Sequence, residues 1–169
     1  AVWLKENRLK LNILKTNCLI IGKEGVFEGK NHGIRIEGEE IERVGVVKYL
    51  GVKVEENLDW KLHLEEIVKK YKSKVSLLWR VKGMLDDVRG KKLLYNALVG
   101  SVLNYCSTIL YEAGAREVES MQLGQNAAMR YILGWGREGK IIDMLNKLGW
   151  LCVELFIKYR GFILIYKFK

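Results

Sequence analysis

The chain has 169 residues, 49% of them hydrophobic, and a formal net charge of +9, so it can build a core and suits a polyanionic partner. Its three cysteines, Cys18, Cys106 and Cys152, are too scattered for a disulfide framework or a four-ligand zinc site, and neither His32 nor His63 stands at ligand spacing from them. Charged residues interrupt both the N-terminus and the apolar stretch from Leu151 to Phe168, which argues against a signal peptide and a membrane span and leaves the cysteines as reduced core residues of an intracellular protein.

The opening residues are helical in pattern, with Val2, Trp3, Leu4, Leu9 and Leu11 set among charges. No capping residue precedes them, so the chain is expected to open inside a helix and to be cut from a longer one. Residues 17–21, Asn-Cys-Leu-Ile-Ile, read as a short buried strand ended by Gly22. Ile34 to Ile36 and Ile41 to Val44 alternate about Gly38-Glu39, a two-residue hairpin signal. Val46 to Val54 is rich in β-branched residues and reads as a third strand of a small antiparallel sheet.

From Asp59 onward the period changes from two to 3.6. Asp59 is placed to cap a helix beginning at Trp60, along which Leu64, Ile67, Val68, Tyr71, Val75 and Leu78 form one apolar stripe. Gly83 is expected to end it, and Asp86 or Asp87 to cap the next helix, which carries Leu94, Leu98, Val102 and Tyr105. Further helices are predicted over residues 115–133, 140–148 and 153–168, making two-thirds of the chain helical. Proline is absent, where average usage would place about eight, so glycine alone punctuates the chain.

The first long helix has a polar side. Lys69, Lys72, Ser73, Ser76 and Arg80 fall at helical offsets opposite the apolar stripe. Between Lys69 and Lys92 nine basic residues face two acidic ones, a local excess of +7 that includes Lys82. Such a face is either a solvated lysine-rich surface or a track for phosphates, which give affinity without sequence preference. The one aspartate pair, Asp86-Asp87, stands at a helix start and reads as an N-cap rather than as a metal site.

Two segments resemble a known family in this order. Leu9-Lys10-Leu11-Asn12-Ile13-Leu14-Lys15-Thr16, followed some thirty residues later by Lys48-Tyr49-Leu50-Gly51-Val52, resembles the end of the palm and the start of the thumb in reverse transcriptases of non-LTR (LINE-type) retrotransposons. Asn57-Leu58-Asp59-Trp60 with His63 is similar to that family's continuation. So are the Gln122, Gln125, Ala128, Arg130, Ile132 and Gly134 pattern and the Leu148-Gly149-Trp150-Leu151 segment, which has Cys152 where proline is usual. Leu98 to Tyr105 resembles the family's helix ending in a Leu-x-Tyr step.

The resemblance implies an α+β fold, with a small antiparallel sheet and hairpin followed by an all-helical, thumb-like bundle. Residues 1–58 would be the C-terminal palm edge with its primer-grip hairpin, 59–112 the thumb helices, and 113–169 a further helical region. It implies that Lys15, in the parent enzyme, donates a proton to pyrophosphate or holds its charge, and that Tyr49, Leu50 and Gly51 grip the primer. Lys69, Lys72, Ser73, Arg80 and Lys82 would then line the path of an RNA–DNA primer–template duplex.

The family's Tyr-x-Asp-Asp turn is not in the sequence, so this segment alone is expected to be inactive and to hold no cofactor. The Mg²⁺-binding carboxylates would belong to an upstream palm and fingers of the same polyprotein. The setting implied is intracellular, nuclear or cytoplasmic or both, with no membrane partner. The alternative is a non-catalytic, transposon-derived helical remnant that binds nucleic acid or a protein.

Overall fold

A computed structural model describes residues 2–22 and 33–168; His32 lies outside the described residues. The fold is α+β and 59% helical, a little below the two-thirds expected. The chain divides into two compact units, Ala1–Trp60 and Lys61–Lys169.

The first unit is built from short pieces. Helix α1 spans only Val2–Glu6. Arg8 takes a left-handed conformation at φ 55°, and the Leu9 amide donates to the Leu4 carbonyl at 2.8 Å, so the chain turns out of the helix before Leu9 and Leu11 can extend it. A single 3₁₀ turn covers Ile13–Lys15, with the Asn12 carbonyl accepting both the Lys15 amide and the Thr16 hydroxyl. Asn12 therefore opens this turn.

The strands are β1 (Asn17–Cys18), β2 (Arg35–Ile36), β3 (Glu39–Glu40), β4 (Glu42–Arg43), β5 (Val46–Tyr49) and β6 (Val52–Glu55). They form three separate two-stranded pairings: β1 with β4 in parallel, and β2 with β3 and β5 with β6 antiparallel. The single antiparallel sheet expected from the sequence is thus replaced by strand pairs.

Two of those pairs turn at residues with positive φ. Glu37 and Gly38 (φ 55° and 89°) link β2 to β3, so the turn sits one residue earlier than Gly38-Glu39. Leu50 and Gly51 (φ 47° and 87°) link β5 to β6, with Tyr49 opposite Val52. Positive φ at both central residues is the turn that matches strand twist, and glycine in the second place supplies half of it cheaply. Val46 to Val54 is therefore a hairpin, not one strand. Among the described residues of this unit only Ile41 is buried, and the 17–21 run is half-buried to exposed rather than a core strand.

The second unit holds the core. Helix α2 (Lys61–Arg80) buries His63, Leu64, Ile67, Tyr71, Val75 and Leu78, the stripe read from the sequence with His63 added and Val68 half-buried. It packs chiefly on α5 (Ala115–Leu133), which buries Met121, Gln125, Ala128, Met129, Tyr131 and Ile132. Helix α3 (Val88–Tyr95) starts at Asp87, whose Oδ2 accepts the Gly90 amide at 2.6 Å.

A π-helical segment, Asn96–Gly100, then runs into the short α4 (Ser101–Asn104). The wider turn rotates the helix surface, so Tyr95, Val99, Val102 and Leu103 face the core, and Leu94 and Leu98 are only half-buried. Tyr105 is exposed, because the chain leaves the helix there and turns at Cys106 (φ 47°).

Helices α6 (Ile141–Leu148) and α7 (Val153–Lys167) complete the bundle. Gln122 and Gln125 fasten the segment between them to α5. Gln125 Nε2 donates to the Leu151 carbonyl at 2.9 Å, and Gln122 Oε1 accepts the Val153 amide at 2.8 Å, satisfying an otherwise open donor at the start of α7. Lys92 Nζ reaches the Leu148 carbonyl at 2.8 Å and closes the end of α6. The three cysteines are half-buried free thiols, not core residues.

Candidate nucleic-acid interface

Burial fixes which side of α2 meets solvent. With Tyr71 and Leu78 wholly enclosed, the helical repeat turns Lys69, Lys72, Ser73, Ser76 and Arg80 outward, and all five are exposed. Lys69, Lys72 and Arg80 form no ion pair with any described residue. The Ser76 hydroxyl folds back to the Lys72 carbonyl at 3.1 Å, whereas the Ser73 hydroxyl has no such bond among the described residues. The three cations are therefore exposed and, among the described residues, without an ion-pair partner. They lie over about three turns of helix, roughly 16 Å at 1.5 Å per residue.

Lys82 behaves differently. It lies beyond the end of α2, and its Nζ stands 5.4 Å from the ring centroid of Trp79. Burial raises the hydroxyl pKa of Tyr71 and of Tyr95 above the ordinary tyrosine value, so both stay neutral inside the bundle.

In the first unit Lys15 is exposed on the 3₁₀ turn, just ahead of β1. Tyr49, Leu50 and Gly51 form the tip of the β5–β6 hairpin, a different strand pair, with Tyr49 67% and Leu50 74% exposed. A leucine held at positive φ and open to solvent gains neither burial nor backbone comfort. His63 is buried at the start of α2 and offers no surface contact. Among the described residues no group of three or more His, Cys, Asp or Glu side chains is gathered for a metal ion. No described helix is long and apolar enough to cross a membrane.

Two further surface features stand out, and sequence reasoning missed the first. One is an aromatic and cationic groove of about 580 Å³ lined by Trp79, Lys82, Arg130, Trp135 and Arg137 with the small residues between them. Its members come from positions more than fifty residues apart, so no local period signals it. The other is the outer face of α7, where Leu155, Tyr159, Phe162 and Tyr166 are all exposed at helical spacing. Phe162 belongs to this exposed face, whereas Phe156 is half-buried and lines a pocket with Tyr95, Gln125 and Trp150. No protein-family model, curated protein or solved structure matches the chain.

Proposed function

We propose that the chain grips a nucleic-acid duplex through the outer face of α2, as the primer-grip and thumb region of a non-LTR reverse transcriptase would. The reading rests on sequence resemblance for its family and on one structural observation for its chemistry. That observation is the row of exposed cations Lys69, Lys72 and Arg80 along a single helix, none of them ion-paired to a described residue. Three cations on a rigid rod follow a phosphate backbone without reading bases, which is what a polymerase needs from the part that holds its product.

The exposed Leu50 at the hairpin tip supports the same reading. Its positive φ and its exposed side chain suit a tip that packs against a sugar or base edge when a primer end is bound. In this account the segment holds and positions the RNA–DNA hybrid, and Lys15 acts on pyrophosphate only beside the carboxylates of a complete polymerase active site.

The test is fluorescence anisotropy with a labelled RNA–DNA hybrid at low salt. The wild-type chain should bind, and the combined change of Lys69, Lys72 and Arg80 to Gln should remove most of the affinity without altering thermal unfolding. Equal binding by both proteins would end the proposal.

A second reading is supported by the exposed apolar face of α7. In it the chain is a non-catalytic remnant whose last helix docks on a protein. Large apolar side chains exposed in a row, as Leu155, Tyr159, Phe162 and Tyr166 are, suit a surface that a protein partner covers.

A further inference from the structure

The groove at the C-terminal end of α2 has a chemistry of its own. Trp79 is 42% exposed, and its edge packs on the buried ring of Tyr131, centroids 5.9 Å apart at 62°. That contact anchors the indole, which lines the groove. Gly134 ends α5 in a left-handed conformation at φ 68°, and Trp135, the next residue, also lines the groove. Arg130 Nε donates to the Gly136 carbonyl at 3.3 Å and ties that loop back to α5.

Cations surround these rings. Lys82 Nζ lies 5.4 Å from the Trp79 centroid, Lys147 Nζ 5.3 Å from that of Trp135, and Lys91 Nζ 5.8 Å from that of Tyr131. Lys82, Arg130 and Arg137 also line the groove, and none of the three forms an ion pair with a described residue. The Glu138 carboxylate lies beside Gly136 and forms no ion pair with Arg137. The residues lining the groove thus combine flat apolar rings with unpaired positive charge and include no carboxylate.

We infer that this groove binds an unpaired nucleotide of a nucleic-acid single strand, its base stacked on Trp79 and its phosphates held by Lys82, Arg130 and Arg137. Each part of such a ligand meets its complement. A base has a flat π-face that suits an indole, and its flanking phosphates suit the cations around it. Lys82 is placed to leave the indole face and follow the phosphate as the base arrives. An acidic peptide would use the charges but leave the rings unused, and an apolar ligand would do the reverse. The inference rests on the nucleic-acid reading above but concerns a different strand state and different residues, Lys82 apart.

The experiment compares a labelled oligothymidylate with an abasic strand of equal length and charge, by anisotropy, on the whole chain. The intact strand should bind more tightly, by about tenfold, as expected for one base on one aromatic ring. Trp79→Ala should abolish that preference while leaving affinity for the abasic strand and for an RNA–DNA duplex unchanged, and Trp79→Phe should restore most of it. Arg137→Gln should weaken both single strands.

Equal affinity of the wild-type chain for intact and abasic strands overturns the inference whatever the variants do. If duplex binding persists in that case, the α2 reading survives alone. Preference for the intact strand without duplex binding would have the opposite meaning.

Discussion

The ring of Tyr71 lies against the bare backbone of Gly124: a methyl group built there would sit 2.6 Å from Cε1. This contact lets α2 and α5 approach closely, and it sets the face that α2 turns to solvent. Because Tyr71 is fully buried, its ring has nowhere to retreat. Gly124→Ala should therefore destabilise the helical unit by about 1–3 kcal/mol, despite alanine's better helix propensity. Urea unfolding followed by circular dichroism measures it. A stability gain would show that the ring and backbone are not in contact.

Asp87 closes the first turn of α3 through its 2.6 Å bond to the Gly90 amide. Removing that acceptor in Asp87→Ala should cost about 1 kcal/mol, and Asp87→Ser or Asp87→Asn should recover most of it. Asp86→Ala should cost much less. Equal losses at the two positions, read from denaturation midpoints, would contradict the assignment of the cap.

Leu50 tests the hairpin tip. Asparagine tolerates positive φ better than leucine, so Leu50→Asn should stabilise the β5–β6 hairpin by about 1 kcal/mol. Amide hydrogen exchange across Val46–Glu55 should slow accordingly. If the tip touches a primer end, the same variant should bind an RNA–DNA hybrid less well. Faster exchange would mean that the backbone at Leu50 is not strained.

On α7, Phe162 is 67% exposed while Phe156 is half-buried and lines a pocket with Tyr95 and Trp150. Phe162→Ser should change stability by less than about 0.5 kcal/mol, and Phe156→Ser by several times more. If α7 mediates self-association, sedimentation should show the Phe162 variant to be less associated than the wild type. Unchanged association would remove the protein-docking role from that face.

The helical half of the fold was legible because one signal, apolar spacing, is written along each helix. Met121, Ala128 and Ile132 declare the α5 face, and Gly134 and Gly149 mark helix ends by adopting left-handed conformations. Where a second influence entered, the reading slipped. The π-helical turn at Asn96–Gly100 moves the buried face from Leu94 and Leu98 to Tyr95 and Val99, and no residue type announces such a turn.

The first unit was harder for a related reason. Leu50-Gly51 is a hairpin turn whose first residue is apolar and β-like, so the run Val46 to Val54 disguises its own reversal. The exposed cations of α2 followed from the same period as its core. The Trp79–Trp135 groove did not, since its walls meet only through tertiary packing.

The most direct test of duplex gripping is the salt dependence of hybrid binding. The logarithm of affinity for an RNA–DNA hybrid should fall linearly with the logarithm of salt concentration, with a slope reflecting several phosphates. Lys69→Gln, Lys72→Gln and Arg80→Gln should each flatten that slope by about one unit, without changing thermal stability. An affinity indifferent to salt, or a slope that none of the three substitutions alters, would contradict the account.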